Sequence, residues 1–228
     1  MIEYKDDITS CILGAKGSGK TVLLAHMQQK YNAGSSVLFD TIGVLNPRSK
    51  HRSAVVPNSI YFMTPESFIS HFDRLPKKYK AVINFENYIS EDLIEAVDKV
   101  CTLLYTSKNR VMLLSDEVAD IIPQMAKGSK KFELLVKNGR NYGIKPVIIA
   151  TQRPQSVNKS VFDLCDNFYI SSQRAPRTID YIMDIMDMRG NKDIRKKVMQ
   201  LKHREFIKFD GLQLKQFKNP RYKYAHKQ

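Results

Sequence analysis

Eight consecutive residues, Gly14, Ala15, Lys16, Gly17, Ser18, Gly19, Lys20 and Thr21, follow directly on the apolar run Ile8 to Leu13 and spell G-x-x-x-x-G-K-T. Glycines at this spacing let successive backbone N–H groups turn inward around an anion. The lysine can reach the β and γ oxygens of a polyphosphate, and the threonine hydroxyl can serve as a ligand for Mg²⁺. The helix predicted from Gly19 to about Gln29 directs the positive end of its dipole at the same point. A glycine-rich turn can also be a plain connection, but an apolar strand before it and an amphipathic helix after it give the context of a phosphate-binding loop.

A second group lies at Val111-Met112-Leu113-Leu114-Ser115-Asp116-Glu117, where four apolar residues run into adjacent carboxylates. This is a Walker B pattern. Asp116, at a strand tip, is placed to hold Mg²⁺ opposite the phosphate loop, and Glu117 to polarise an attacking water. Asp and Glu at a strand end can equally cap a turn; their succession to a complete phosphate loop favours the chemical role. The neighbouring glutamate also distinguishes an ATPase from a small-molecule kinase, whose nucleophile is its substrate. A third apolar strand, Pro146 to Ala150, ends in Thr151-Gln152-Arg153-Pro154, which puts the uncharged amide of Gln152 where it can sense a γ-phosphate. Val157-Asn158-Lys159-Ser160 lacks the Asp of an N-K-x-D guanine reader, so adenine is the expected base.

These residues need a scaffold that brings strand ends together. Strands are expected at 8–13, 36–41, 59–63, 81–85, 111–114, 146–150 and 168–171. Helices are expected after Thr64-Pro65, from 91 to about 105 with Ser90 as cap, and at 130–141, 159–165 and 177–188. Asn46 to Arg52 reads as an exposed loop, and 204–210, Gly211 and 212–217 as a hairpin. Continuous apolar strands alternating with helices indicate an α/β fold, with a mostly parallel central sheet covered on both faces and a C-terminal β-hairpin. One domain over 1–228 is expected, with a motor core at about 8–188 and a basic region at 189–228.

Composition narrows the partners. The chain has 228 residues and a formal net charge of +14, and residues 189–228 carry thirteen Lys and Arg against Asp193, Glu205 and Asp210. So strong a field points to a polyanion such as nucleic acid. The apolar runs are too short to span a bilayer and no signal segment precedes them, so a soluble, non-secreted protein is expected. Cys11, Cys101 and Cys165 form no metal-binding or disulfide pattern.

Taken together, Gly14 to Thr21, Leu113 to Glu117, Gly139-Arg140-Asn141-Tyr142-Gly143, Ala150 to Pro154 and Ser171-Ser172 with Arg177-Thr178 resemble the HerA/FtsK superfamily of ring-forming, DNA-pumping P-loop NTPases. At this length, without an amino-terminal barrel, membrane segment or winged helix, the chain is similar to the compact genome-packaging ATPases of double-stranded DNA viruses with an internal membrane. The resemblance implies ATP and Mg²⁺ as cofactors, a pentameric or hexameric ring around double-stranded DNA, a capsid vertex or portal as partner, and a location in host cytoplasm or at the virion vertex. It also implies an arginine acting on the neighbouring subunit's ATP: Arg140 matches that position best, with Arg177 and Arg153 as alternatives. Lys127, Lys130 and Lys131, around Gly128-Ser129, are candidate DNA contacts. The competing readings are a plasmid-transfer or filamentous-phage export ATPase, a nucleotide-dependent DNA- or capsid-binding module that does not translocate, and a metabolite kinase.

Overall fold

The computed structural model describes residues 8–45, 47 and 58–219. Glu3 to Asp7, the loop expected at Asn46 to Arg52 apart from Pro47, and the basic residues after 219 lie outside that set. Among the described residues the strands are β1 (Thr9–Leu13), β2 (Ser35–Asp40), β3 (Ile60–Phe62), β4 (Lys80–Asn84), β5 (Val111–Ser115), β6 (Ile144–Thr151), β7 (Asn167–Ser171), β8 (Glu205–Phe209) and β9 (Leu214–Lys218). They form one sheet in the order β3-β4-β2-β5-β6-β1-β7-β8-β9. From β3 to β7 every pairing is parallel, and β8 and β9 add an antiparallel hairpin at one edge. The expected α/β architecture is thus present, and β6 lies between β1 and β5.

The helices are α1 (Lys20–Lys30), α2 (Pro65–His71), α3 (Ser90–Ser107), α4 (Lys130–Asn138), α5 (Pro176–Ile185) and α6 (Lys192–Gln200). Side chains alternate across the sheet because successive strand residues point to opposite faces. Leu13, Phe39, Ile83, Leu113 and Ile149 join the core that contains residues of α2 to α6, whereas Ile12, Leu38, Val82, Leu114 and Ile148 join the one that contains Leu23, Leu24 and Met27 of α1. Phe39 illustrates the packing of the larger core, with ring centroids 5.0 Å from Phe85 and 5.8 Å from Phe132.

Three local expectations change. Ser90 does not cap α3: Ile89 is the N-cap and no side chain bonds there, while Ser90 opens the helix at φ 49, and Glu91 and Asp92 complement the dipole in the first turn. The helix expected at 130–141 is α-helical to Asn138 and tightens only at its end into a 3-10 turn, Gly139–Tyr142, whereas the one expected at 159–165 is a 3-10 helix, Lys159–Leu164. Helix α6 was not expected, because only Ile194 and Val198 of its nine residues are buried and the rest read as part of a basic tract. Its start is fixed by Asn191, whose side chain accepts from the Ile194 N–H at 3.1 Å.

Removing the Phe39 ring leaves a cavity between two aromatic neighbours. Phe39→Ala should therefore lower unfolding free energy by about 3–5 kcal/mol in chemical denaturation.

Candidate nucleotide site

The phosphate loop joins the end of β1 to the start of α1 and is moored to the two strands beside β1. The Gly14 N–H donates to the Thr151 carbonyl at 3.4 Å, and the Ala15 N–H to the Ser172 carbonyl at 3.1 Å. Gly17 and Gly19 have φ of 75° and 101°, a left-handed conformation that glycine adopts without a Cβ penalty. At Gly14 the requirement is space, since a Cβ there would stand 2.5 Å from Ser18 Oγ and 3.0 Å from Ser171 Cβ. Among the described residues, no acceptor takes the N–H groups of Gly17, Gly19, Lys20 or Thr21. A turn of unspent donors at a helix start fits an anionic polyphosphate.

Lys20, only 8% exposed, folds back over the loop and donates from Nζ to the Gly14 and Ala15 carbonyls at 2.8 and 3.1 Å. Thr21 follows at the first turn of α1, and its Oγ1 lies 3.1 Å from both carboxylate oxygens of Asp116. A hydroxyl facing a carboxylate provides hard oxygen donors of the kind Mg²⁺ takes. Among the described residues no cluster of three His, Cys, Asp or Glu forms a protein-only metal cage. A magnesium ion on Thr21 and Asp116 would take its other ligands from phosphate and water.

Strand order explains the rest of the site. Since β6 separates β1 from β5, its tip reaches the carboxylates at the end of β5. The Thr151 hydroxyl donates to Glu117 Oε1, and the Gln152 N–H donates to Oε2 at 3.0 Å. Glu117, 1% exposed, is therefore held by donors on both oxygens. The Gln152 side chain is half-buried beside it.

Burial dominates the electrostatics. It pushes Asp116 up to about 7, with the nearby Asp40 carboxylate adding to the shift and Lys20 and the Thr21 hydroxyl opposing it. Burial raises Glu117 as well, against the two donors from β6, and lowers Lys20 despite Asp116 and Glu117. Asp40, fully buried at the tip of β2, is raised to about 6 by burial while accepting from the Val44 and Leu45 N–H groups at 3.1 and 2.8 Å. Sequence reading passed over Asp40, although an apolar strand ending in a carboxylate was the same signal that marked Asp116. It also missed Thr151 as the partner of Glu117, which depends on strand order.

The remaining candidates lie apart. Arg140 is exposed in the turn just before β6, at the amino-terminal edge of the sheet, whereas the phosphate loop follows the carboxyl end of β1. The eight residues of β6 separate those edges by roughly 25 Å. Arg153 pairs with Asp120 at 2.6 Å, and Arg177 is exposed in the first turn of α5. Lys127, Lys130 and Lys131 are exposed beyond β5 on a segment pinned to α3: Ser129 Oγ bonds Asp98 and caps α4, and the Lys131 N–H donates to Asp98 at 3.2 Å.

Fold and loop geometry define a P-loop NTPase domain with a strand inserted between its two signature strands. Among solved structures the chain is similar to the genome packaging NTPase B204 of Sulfolobus turreted icosahedral virus 2 in complex with ATP-gammaS, at 19% identity and TM-score 0.71, covering 94% of this chain and 98% of that one. B204, the DNA-packaging ATPase of Sulfolobus turreted icosahedral virus, is similar at 21% identity and TM-score 0.69 over the same shares. VirB4 of Thermoanaerobacter pseudethanolicus is similar at 11% identity and TM-score 0.60, covering 95% and 90%. No protein-family model and no curated protein matches the chain. Among the described residues no helix is long and apolar enough to cross a membrane.

The raised carboxylates carry a linkage consequence. Between the ordinary Asp value of 3.8 and about 7, folded Asp116 keeps a proton that the unfolded chain releases, so its contribution to stability falls as pH rises through that window. In thermal unfolding without nucleotide, Asp116→Asn should be more stable than wild type at pH 8. The gap, on the order of a few kcal/mol at most, should shrink towards about pH 5.

Proposed function

We propose that this protein is an ATP-hydrolysing translocase for double-stranded DNA that works as a ring and packages a viral genome into a preformed capsid. The observation that carries the reading is the convergence, at one edge of the sheet, of Lys20 and Thr21 from β1–α1, Asp116 and Glu117 from β5, and Thr151 and Gln152 from β6. Likeness to the B204 packaging NTPases and the net charge of +14 support the substrate class.

Bound Mg·ATP supplies the electrophilic γ-phosphorus and a metal clamp on the phosphate oxygens. Backbone N–H groups of Gly17, Gly19, Lys20 and Thr21 cradle the phosphates, with Gly14, Ala15, Lys16 and Ser18 shaping the loop, and Lys20 exchanges its carbonyl partners for phosphate oxygens. Thr21 and Asp116 would hold the metal. Glu117, ionised and oriented by Thr151 and the Gln152 N–H, takes a proton from the attacking water, and the Gln152 amide senses the γ-phosphate. Arg140, at the opposite edge of its own sheet, acts on the ATP of the adjoining subunit. Lys127, Lys130 and Lys131 contact DNA phosphates. The ring is a pentamer or hexamer at a capsid vertex or portal, in host cytoplasm or on the virion. The structural likeness to VirB4 fits one alternative, a plasmid-transfer or filamentous-phage export ATPase.

Steady-state ATP hydrolysis should be stimulated by long double-stranded DNA and lose that stimulation as salt is raised. Turnover indifferent to DNA would favour the export reading. Glu117→Gln should keep ATP affinity and lose about 10²-fold or more in turnover. Mixing Arg140→Ala with Glu117→Gln subunits should restore part of the activity, because an intact Glu117 in one subunit then meets an intact Arg140 from the next. No rescue at any ratio would remove Arg140 from that role.

A further inference from the structure

We infer that Arg204 contacts the nucleoside of bound ATP within its own subunit, an inference that rests on reading Gly14 to Thr21 as the ATP site. Between α6 and β8 the chain crosses the outer side of the phosphate loop. The Arg204 N–H donates to the Ser18 carbonyl at 3.1 Å, and His203 Nδ1 lies 2.7 Å from the Gly17 carbonyl. Ser171 Oγ stands within hydrogen-bonding distance of both the Ser18 and Glu205 carbonyls, at 3.3 and 2.9 Å. The stem of Arg204 rests on Gly19, where a Cβ would come within 2.9 Å of Arg204 Cγ. Gly19 is the N-cap of α1, so this stem borders the ring of free N–H groups.

Direction follows from sheet order. Glu117 and Gln152 mark where the γ-phosphate reacts, on the β5 and β6 side of β1. An ATP lying along the loop with its γ end there extends its nucleoside towards β7 and β8, where Arg204 stands. The guanidinium has no partner among the described residues, whereas Arg153, Arg189 and Arg195 each pair with an aspartate. Arg204 also holds a left-handed φ of 64°, which is uncommon for a residue with a side chain and is fixed here by the bonds on either side. A planar cation in this place can stack on a purine. Its carbonyl accepts from the Asn219 N–H at 2.9 Å, so a shift of Arg204 on nucleotide binding would reach both ends of the β8–β9 hairpin.

The test compares ATP with inorganic tripolyphosphate, which fills the phosphate loop but has no nucleoside, using full-length wild type, Arg204→Met, Arg204→Lys and Lys20→Ala. Arg204→Met keeps the stem on Gly19 and removes the plane and charge. It should weaken ATP binding roughly 3- to 30-fold and leave tripolyphosphate binding unchanged, with Arg204→Lys in between. Lys20→Ala should weaken both ligands. If Arg204→Met fails to fold, the same ATP-specific loss in Arg204→Lys decides the matter. ATP binding unchanged in folded Arg204 variants, or equal losses for the two ligands, would overturn the nucleoside contact while leaving the ATP site standing. Wild type that binds neither ligand would overturn the ATP site itself.

Discussion

Glu117 is buried almost completely beside two further buried charges, Lys20 and Asp116, and its orientation depends on two hydrogen bonds from the strand next to it. Those bonds exist only because β6 is inserted between β1 and β5. With any other neighbour at that position, the phosphate loop and the carboxylates would lack the Thr151 hydroxyl and the Gln152 N–H, and a desolvated carboxylate would be left without donors, at considerable cost. The surrounding elements follow from that arrangement. Parallel strands bring their carboxyl ends to one edge, and a core on each face keeps those ends in register.

The same cluster is costly to the protein alone. Burial raises Asp116, Glu117 and Asp40 and lowers Lys20, each shift in the direction that disfavours charge. A polyphosphate with its metal, as the proposed function requires, would meet these groups with charges of the opposite sign and so link binding to stability at this edge. The unspent N–H groups of the loop have the same bias, since a phosphate oxygen is the partner their geometry suits.

Much of this was legible in residue order. The central strands are legible because buried parallel strands are uninterrupted apolar runs, the β8–β9 hairpin because Gly211 marks its turn, and the loop and carboxylate motifs because they are local patterns. What escaped depends on contacts between distant segments. Thr151 looked like part of a polar strand end until β6 was placed beside β5, and α6 was hidden because two buried side chains suffice to dock a helix whose remaining residues are polar or exposed. His203 and Arg204 looked like members of a basic tract. Their role against Gly17, Ser18 and Gly19 comes from the hairpin joining the sheet next to β7, a pairing that no local signal announces.

Arg140 and the phosphate loop occupy opposite edges of one sheet, so in the proposed mechanism Arg140 serves only the ATP of another copy. The most direct measurement is ATP-driven displacement of a third-strand oligonucleotide bound near one end of a long linear duplex. For a translocase, displacement should require ATP and Mg²⁺ and be absent with Glu117→Gln. Brisk ATP turnover on the same duplex with the third strand left in place would contradict it.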